Sequence, residues 1–282
     1  MTHTTAKTTA SRGSRGAASL PLLTAARHAI VTCERCSRLR RYCSRIGSEK
    51  RRAYAADTYW ARPVPGFGDP NARLLIVGLA PAAHGANRTG RAFTGDGPGG
   101  SGDFLMAALH RTGFASQPTS RTADDGLELL DAFVAMAVRC APPDNRPTPE
   151  ELEACLPHLD AEVAALPRVR VVVALGGIGF AAYLRLLKMR GETVRPRPVF
   201  EHGSVHELPD GVTLMGCYHP SRQNTNTGRL TAEMMTWVFN EARRRLDRDP
   251  VEPLAGRPPA AASRPGRRAR RTAAASRPAD RR

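Results

Sequence analysis

Apolar positions along the chain follow two rhythms: short continuous runs, and longer stretches in which they recur every three or four residues. "ARLLIVGL" (72–79) is a continuous run and reads as a buried strand. "SGDFLMAALHRTGF" (101–114) has helical spacing and closes at Gly113, a glycine placed for a helix C-terminus. "LLDAFVAMAVRC" (129–140) reads as a second strand. "TPEELEACLPHLDAEVAAL" (148–166) opens with Thr148 as N-cap, Pro149 at the first helical position and Glu151 three residues on, a capping box. "VRVVVALGG" (169–177) is continuous and β-branched, so it predicts a strand buried on both faces. The helical "IGFAAYLRLLKMRG" (178–191) follows it, then a fourth strand, "VTLMGCYHP" (212–220), and a long helix, "TGRLTAEMMTWVFNEARRRL" (227–246). Strands alternate with helices without an internal repeat, which predicts an α/β fold with a central, mostly parallel sheet.

In such a sheet, segments that follow strands gather at one carboxyl edge, where ligands bind. Four do so here: "GLAPAAHG", "RCAPPDN", "GGIG" and "YHPSRQNTNTG". They are therefore candidates for a single site. The first of them extends as "GLAPAAHGANRTGRAFTGD" (78–96), and its first eight residues hold no carboxylate.

With 282 residues, 41% of them hydrophobic, the chain can bury one sizeable core. Its ends do not share that pattern. Residues 1–18 are polar and basic, and residues 250–282 are mostly Ala, Pro and Arg, so both are expected to be disordered tails around a domain at 19–249. The formal net charge of +16 lies partly in the C-terminal tail, a composition suited to polyanions or simply to solvation. No run approaches the ~18 apolar residues of a membrane span, and the N-terminus lacks a signal-peptide apolar region. The reading is a cytoplasmic, monomeric protein with no membrane partner.

Six cysteines remain to be placed: Cys33, Cys36, Cys43, Cys140, Cys155 and Cys217. Disulfides are not expected in the cytoplasm. "CERC" is a C-x2-C turn that sets two thiolates at one metal, and Cys140 and Cys155 flank the proline-rich loop. Together they offer four soft ligands suited equally to zinc or to an iron–sulfur cluster, unless the four never meet. Cys43 sits in the arginine-rich "RLRRYCSR", and Cys217 reads as a small core residue.

Taken together, the cysteine spacing, "GLAPAAHGANRTGRAFTGD", "VRCAPPDNRPTPEE" and "YHPSRQNTNTGRLT" resemble the uracil-DNA glycosylase superfamily, and within it family 5, the type B iron–sulfur branch. The likeness runs from about Cys33 to about Leu246. It implies a three-layer α/β/α fold, a 4Fe–4S cluster on Cys33, Cys36, Cys140 and Cys155, and excision of deaminated bases from double- or single-stranded DNA. In common relatives the first loop carries an Asp that positions water and a Tyr that shuts out thymine; the matching positions here are Ala80 and Ala82. The Glu of family 4 is matched by Leu79, and its uracil-reading Asn by Ala137. Three small residues imply a roomy pocket that takes hypoxanthine and xanthine as well as uracil.

Cleavage of a deoxyribosyl N-glycosidic bond leaves negative charge on the departing base, so preorganised donors matter more than a base for water. The resemblance makes His219 the donor to a base carbonyl, although a histidine capping its own turn would look the same. Asp96 is the candidate to orient water or steady the sugar cation, or else to cap the helix starting near Ser101. Asn145 would hold water or the base edge, or simply occupy a turn. Phe93 would stack on the flipped base, with a core role as the alternative; Gly78, Ala80, Ala82 and His84 complete the base-binding set. Ser221, Arg222, Gln223, Asn224 and Thr225 sit where relatives push a loop into the duplex. Arg88, Arg91, Arg222 and Arg229 are candidates for phosphate contact, each equally consistent with solvation. Two rival readings are a metal-stabilised DNA-binding module without catalysis and a nucleotide-phosphate cradle, the latter lacking the G-x-G-x-x-G and G-K-[ST] patterns.

Overall fold

The apolar runs form the four parallel strands at the centre of one six-stranded sheet. The strands are β1 (Phe67–Gly68), β2 (Leu74–Gly78), β3 (Ala132–Met136), β4 (Val171–Leu175), β5 (Val205–Glu207) and β6 (Thr213–Cys217), ordered β1-β3-β2-β4-β6-β5. β3, β2, β4 and β6 run parallel, and β1 and β5 add antiparallel edges. This computed structural model describes residues 14–248. The expected C-terminal tail and residues 1–13 lie outside the described residues.

Helices cover both faces: α1 (Ser14–Val31), α2 (Ser37–Glu49), α3 (Ala86–Thr89), α4 (Ser101–Arg111), α5 (Pro149–Ala164), α6 (Gly177–Met189), α7 (Arg222–Asn226) and α8 (Ala232–Arg248). Period-two alternation divides the sheet's side chains between two cores. Leu74, Ile76, Val134, Val173 and Met215 face Leu105 and Leu109 of α4 and Val238 and Phe239 of α8. Leu75, Val77, Phe133, Val172 and Leu214 face Leu156 and Leu159 of α5 and Phe180 and Leu186 of α6. The result is the expected three-layer α/β/α arrangement.

Several local signals act as the sequence indicates. Thr148 Oγ1 accepts from the Glu151 N–H and Glu151 Oε2 accepts from the Thr148 N–H, completing the capping box. Gly113, at φ +75°, follows Thr112, the C-cap of α4, in the left-handed conformation that glycine favours. Two expectations are corrected. Helix α1 begins at Ser14, so residues 14–18 are helical rather than part of an N-terminal tail. The long C-terminal helix starts at Ala232, because "SRQNTNTG" forms the separate turn of α7 and Thr231 Oγ1 accepts from the Met234 N–H. Among the described residues no helix is long and apolar enough to cross a membrane.

One buried ion pair joins β3's exit to the second core. Arg139, 1% exposed, lies with Nη2 2.7 Å from Oε2 of Glu162, 2% exposed, at an angle outside hydrogen-bond geometry. The other carboxylate oxygen of Glu162 accepts from the Gly66 N–H at 2.8 Å. Removing one partner strands a buried charge, whereas replacing both need not. Glu162→Ala is therefore expected to destabilise the fold by about 3–5 kcal/mol. An Arg139→Met/Glu162→Leu double variant should recover most of that loss, as read by chemical denaturation of the three proteins.

Candidate active site

The chain leaves β2 toward α4 on one face of the sheet, and leaves the neighbouring β4 toward α6 on the other. Divergent exits from adjacent parallel strands open a crevice at their carboxyl ends. Gly78 ends β2, Gly176 follows β4, and His219 follows β6. Gly176, at φ +89°, hydrogen-bonds through its N–H to the Cys217 carbonyl, and a Cβ built on it would lie 3.4 Å from the His219 Cβ. Phe93 closes the group: its ring centroid is 6.0 Å from that of His219, at 32° between planes. A Cβ at Gly78 would come within 2.9 Å of the Phe93 ring, so the ring needs a glycine there.

Phe93 is 8% exposed and adopts φ +52°, a left-handed conformation that side chains rarely take. Its carbonyl lies so close to Gly102 that any Cβ there would overlap it, so the first turn of α4 sits directly on the strained residue. Asp96 is held by the same turn. Its carboxylate accepts from the Gly102 N–H, and burial raises its pKa above the usual carboxylate value, against the lowering pull of that bond and of Arg222. A Cβ on Gly85 would overlap Asp96 Oδ1, so the carboxylate also touches the start of the glycine-rich loop. Asp96 thus caps α4 and faces the crevice loop at once.

His219 is delivered by β6 into a desolvated position, and burial lowers its pKa to about 4. Its imidazole is neutral at physiological pH and can donate one N–H. The following turn is locally built: Ser221 Oγ accepts from the Asn224 N–H, Asn224 Nδ2 donates to the His219 carbonyl at 2.8 Å, and Thr225 Oγ1 donates to the Ser221 carbonyl. Arg222 and Gln223 are exposed, and Arg222 Nη2 donates to the Asp96 carbonyl at 3.2 Å. Arg229 is exposed with its guanidinium 4.7 Å above the Tyr218 ring.

Two arginines read as phosphate contacts point inward. Arg91 is 8% exposed and spends its guanidinium on Thr94, Ser120, the Ala123 carbonyl and, at 2.7 Å, Asp125. Arg88 pairs with Asp57 at 2.6 Å, donates to the His84 and Gly95 carbonyls and lies over the Tyr54 ring. Both stitch the loop together and are removed from the phosphate-contacting set. Asn145 is exposed in a short turn at φ +56°, its N–H bonded to Pro142, and no contact among the described residues joins it to His219, Phe93 or Asp96. Ala137 is buried in the core under α5 and α6, on the opposite face of the sheet from the core that contains Phe93.

The cysteines do meet. Cys33 and Cys36 lie at the turn between α1 and α2, Cys140 follows β3, and Cys155 is on α5; all four line one cavity with Leu39, Val138 and His158. Burial pushes the Cys155 thiol up to about 11, and the Arg139 N–H donates to its sulfur at 3.3 Å. Cys140 is raised by its hydrogen bond with the Cys43 thiol and by burial, with Arg40 opposing. Ala80 and Ala83 of the glycine-rich loop pack against this cysteine lobe, and Asn87 Nδ2 donates to the Cys43 carbonyl. Among the described residues no three His, Cys, Asp or Glu side chains converge on a point that would hold a single metal ion.

Sequence reasoning missed Tyr59, whose hydroxyl shares a 2.9 Å hydrogen bond with Nδ1 of His84. It missed His158 as well, although a histidine three residues after Cys155 on a helix shares that cysteine's face. The environment of His219 is directly measurable. By NMR, its ring is expected to stay neutral until the pH nears about 4, against about 6.5 for an unperturbed histidine. Because the folded pKa is depressed, the stability His219 contributes is complete above the unfolded value and drains away as pH falls toward the folded one. Thermal unfolding of His219→Gln should lose that part of the acid sensitivity.

The sequence model of the Uracil DNA glycosylase superfamily matches residues 65–246, which contain every crevice element described above. The chain is 50% identical over 232 residues to the Type-5 uracil-DNA glycosylase of Mycobacterium leprae, covering 82% of this chain and 97% of that protein. It is 50% identical over 215 residues to the Type-5 uracil-DNA glycosylase of Thermus thermophilus, covering 76% and 94%. It is 51% identical over 216 residues to the Type-5 uracil-DNA glycosylase of Mycobacterium tuberculosis, covering 76% and 78%. With a family match that takes in the β2–β4 crevice, Phe93 and His219, and relatives at about half identity, the chain belongs to the uracil-DNA glycosylase superfamily, on its type-5 branch.

Proposed function

We propose that this chain hydrolyses the N-glycosidic bond of uracil in DNA, and of hypoxanthine and xanthine, and so begins base excision repair. The observation that carries this reading is His219: a neutral histidine at a strand's carboxyl end, beside an aromatic ring, in a crevice whose loop offers small side chains. The type-5 names of the relatives support the uracil activity. Breadth toward purines rests on the small side chain of Ala82, in the loop beside Gly85 and Asp96; Ala80 packs instead on the cysteine lobe.

In the reaction, the C1′–N bond breaks and its electron pair leaves with the base. Water then supplies oxygen to C1′, and the proton it loses neutralises the departed base anion. A neutral donor suits this sequence, because the His219 N–H strengthens its hydrogen bond as anionic charge gathers on the base carbonyl. Asp96 reaches the same loop and serves the sugar side, orienting water and favouring the positive ring. Phe93 stacks on the extruded base. Arg222 and Gln223 enter the duplex at the vacated position, while Ser221, Asn224 and Thr225 hold their turn in shape. Asn145 meets the DNA or its water from the edge of the proline-rich loop.

The four cysteines line one cavity, and their soft thiolates suit the 4Fe–4S cluster that the resemblance to the iron–sulfur branch implies. Cys33, Cys36, Cys140 and Cys155 would hold the cluster, which when bound supplies a structural cross-link between the α1–α2 turn, the exit of β3 and α5.

Duplexes carrying one uracil, hypoxanthine or xanthine, treated with enzyme and then alkali, should all be cleaved at the modified position. Binding without cleavage would instead support a DNA-binding module. Ala82→Tyr should narrow the range, costing hypoxanthine release at least about tenfold more than uracil release, the scale on which pocket volume discriminates. Residues 250–282 hold nine arginines against two acids. Truncation after residue 249 should leave saturating single-turnover rates unchanged while lowering the salt slope of DNA binding, by about 0.9 for each phosphate the tail no longer neutralises.

A further inference from the structure

His158 is 5% exposed, and its Nε2 is buried without a hydrogen-bond partner. Burying an imidazole nitrogen unpaired forfeits its hydrogen bond to water, so a native chain keeps such an atom where something will meet it. His158 lines the same cavity as Cys33, Cys36, Cys140 and Cys155. Its position on α5, one turn after Cys155, fixes it on the cysteine-bearing face. Burial, with Arg139 and Arg35 nearby, keeps the ring neutral.

The other charged side chains around the cavity already have a hydrogen-bond or ion-pair partner. Arg35 donates to the Ala154 carbonyl, Arg40 to Glu34 and the Ala61 carbonyl, and the Arg139 side chain faces Glu162. The Arg139 N–H already donates to the Cys155 sulfur at 3.3 Å, so a donor to sulfur is part of the cavity's wall. Among the lining side chains of the described residues, two keep nitrogens without a hydrogen bond: Arg139, whose guanidinium is ion-paired with Glu162, and His158, whose Nε2 has no partner of any kind beside the four cysteines. Iron–sulfur potentials and lifetimes respond to hydrogen bonds to the sulfurs and to solvent access.

We propose that His158 donates its Nε2–H to a sulfur of the group held by the four cysteines, and so positions and protects that group. This rests on the iron–sulfur reading above. The donation moves no electrons and transfers no proton. It places partial positive charge beside a cluster that becomes more negative on reduction, so it favours the reduced state. His158 touches neither DNA nor base; its effect is on the cluster's potential and persistence.

The test uses full-length protein purified anaerobically, with iron and sulfide assayed first. His158→Leu removes the donor at similar volume, and His158→Gln restores an N–H in the same direction. The leucine variant should load iron as wild type does, show a midpoint potential shifted negative, and surrender iron to a chelator about tenfold faster, the lower end of effects seen for groups behind metal ligands. The glutamine variant should recover part of both changes. Equal potential and equal iron loss in a fully loaded leucine variant would overturn the proposal. Should the leucine variant fail to load, wild-type protein labelled with ¹⁵N-histidine decides. Its reduced cluster should show a coupling to one histidine nitrogen, and absence of that coupling overturns the proposal. Wild-type protein without iron and sulfide would instead overturn the cluster reading beneath it.

Discussion

His219 loses its water when β6 delivers it to the crevice, and the cost of burying an imidazolium holds its pKa at about 4. Much of the site follows from that desolvation. A charged histidine would repel the sugar cation and would begin the reaction with its favourable interaction already spent on the ground state. A neutral N–H gains strength only as the base becomes anionic, which is the differential binding catalysis requires. The same dryness explains why Phe93 and Gly78 lie against each other beside it, and why the loop after β2 can dispense with a carboxylate in its first eight residues.

The loop that builds the other wall is held under tension. Phe93 sits at φ +52°, a conformation costing on the order of 1–3 kcal/mol. Gly102 accepts the close approach of its backbone, Asp96 caps the same turn, and Arg88 and Arg91 bind the loop's ends to Asp57 and Asp125. Ala80, Ala83 and Asn87 rest on the cysteine lobe, so whatever steadies those thiols steadies the loop after β2 as well. Asp96 consequently holds the first turn of α4, and its substitution perturbs that helix along with any chemistry it carries.

The four parallel strands and helices α4, α5, α6 and α8 are legible because apolar runs, the Thr148 capping box and Gly113 agree at every level. Strands β1 and β5 are two and three residues long, too short for alternation to register. Helix α1 contains Pro21 and has apolar residues all around it, so it shows no stripe; α2 does carry one, Leu39, Tyr42, Cys43 and Ile46, but in a short basic stretch that reads first as a charged run. The crevice loops could be gathered from strand order, but their wiring could not. Arg91 finds Asp125, 34 residues away, and Arg139 finds Glu162 across the lobe. Those pairings are tertiary, and an arginine destined for a buried carboxylate looks in sequence like one destined for a phosphate. The orphaned Nε2 of His158 likewise depends on where four distant cysteines come together.

Single-turnover release of uracil from a duplex by His219→Ala and Asp96→Asn, at saturating enzyme and with the thermal stability of each variant recorded, tests the central claim most directly. If charge stabilisation by a neutral donor carries the reaction, His219→Ala loses about 10²–10³-fold in rate and Asp96→Asn loses clearly less. A His219→Ala enzyme near the wild-type rate, with Asp96→Asn folded but inactive, would make the carboxylate the centre of the mechanism and contradict this account.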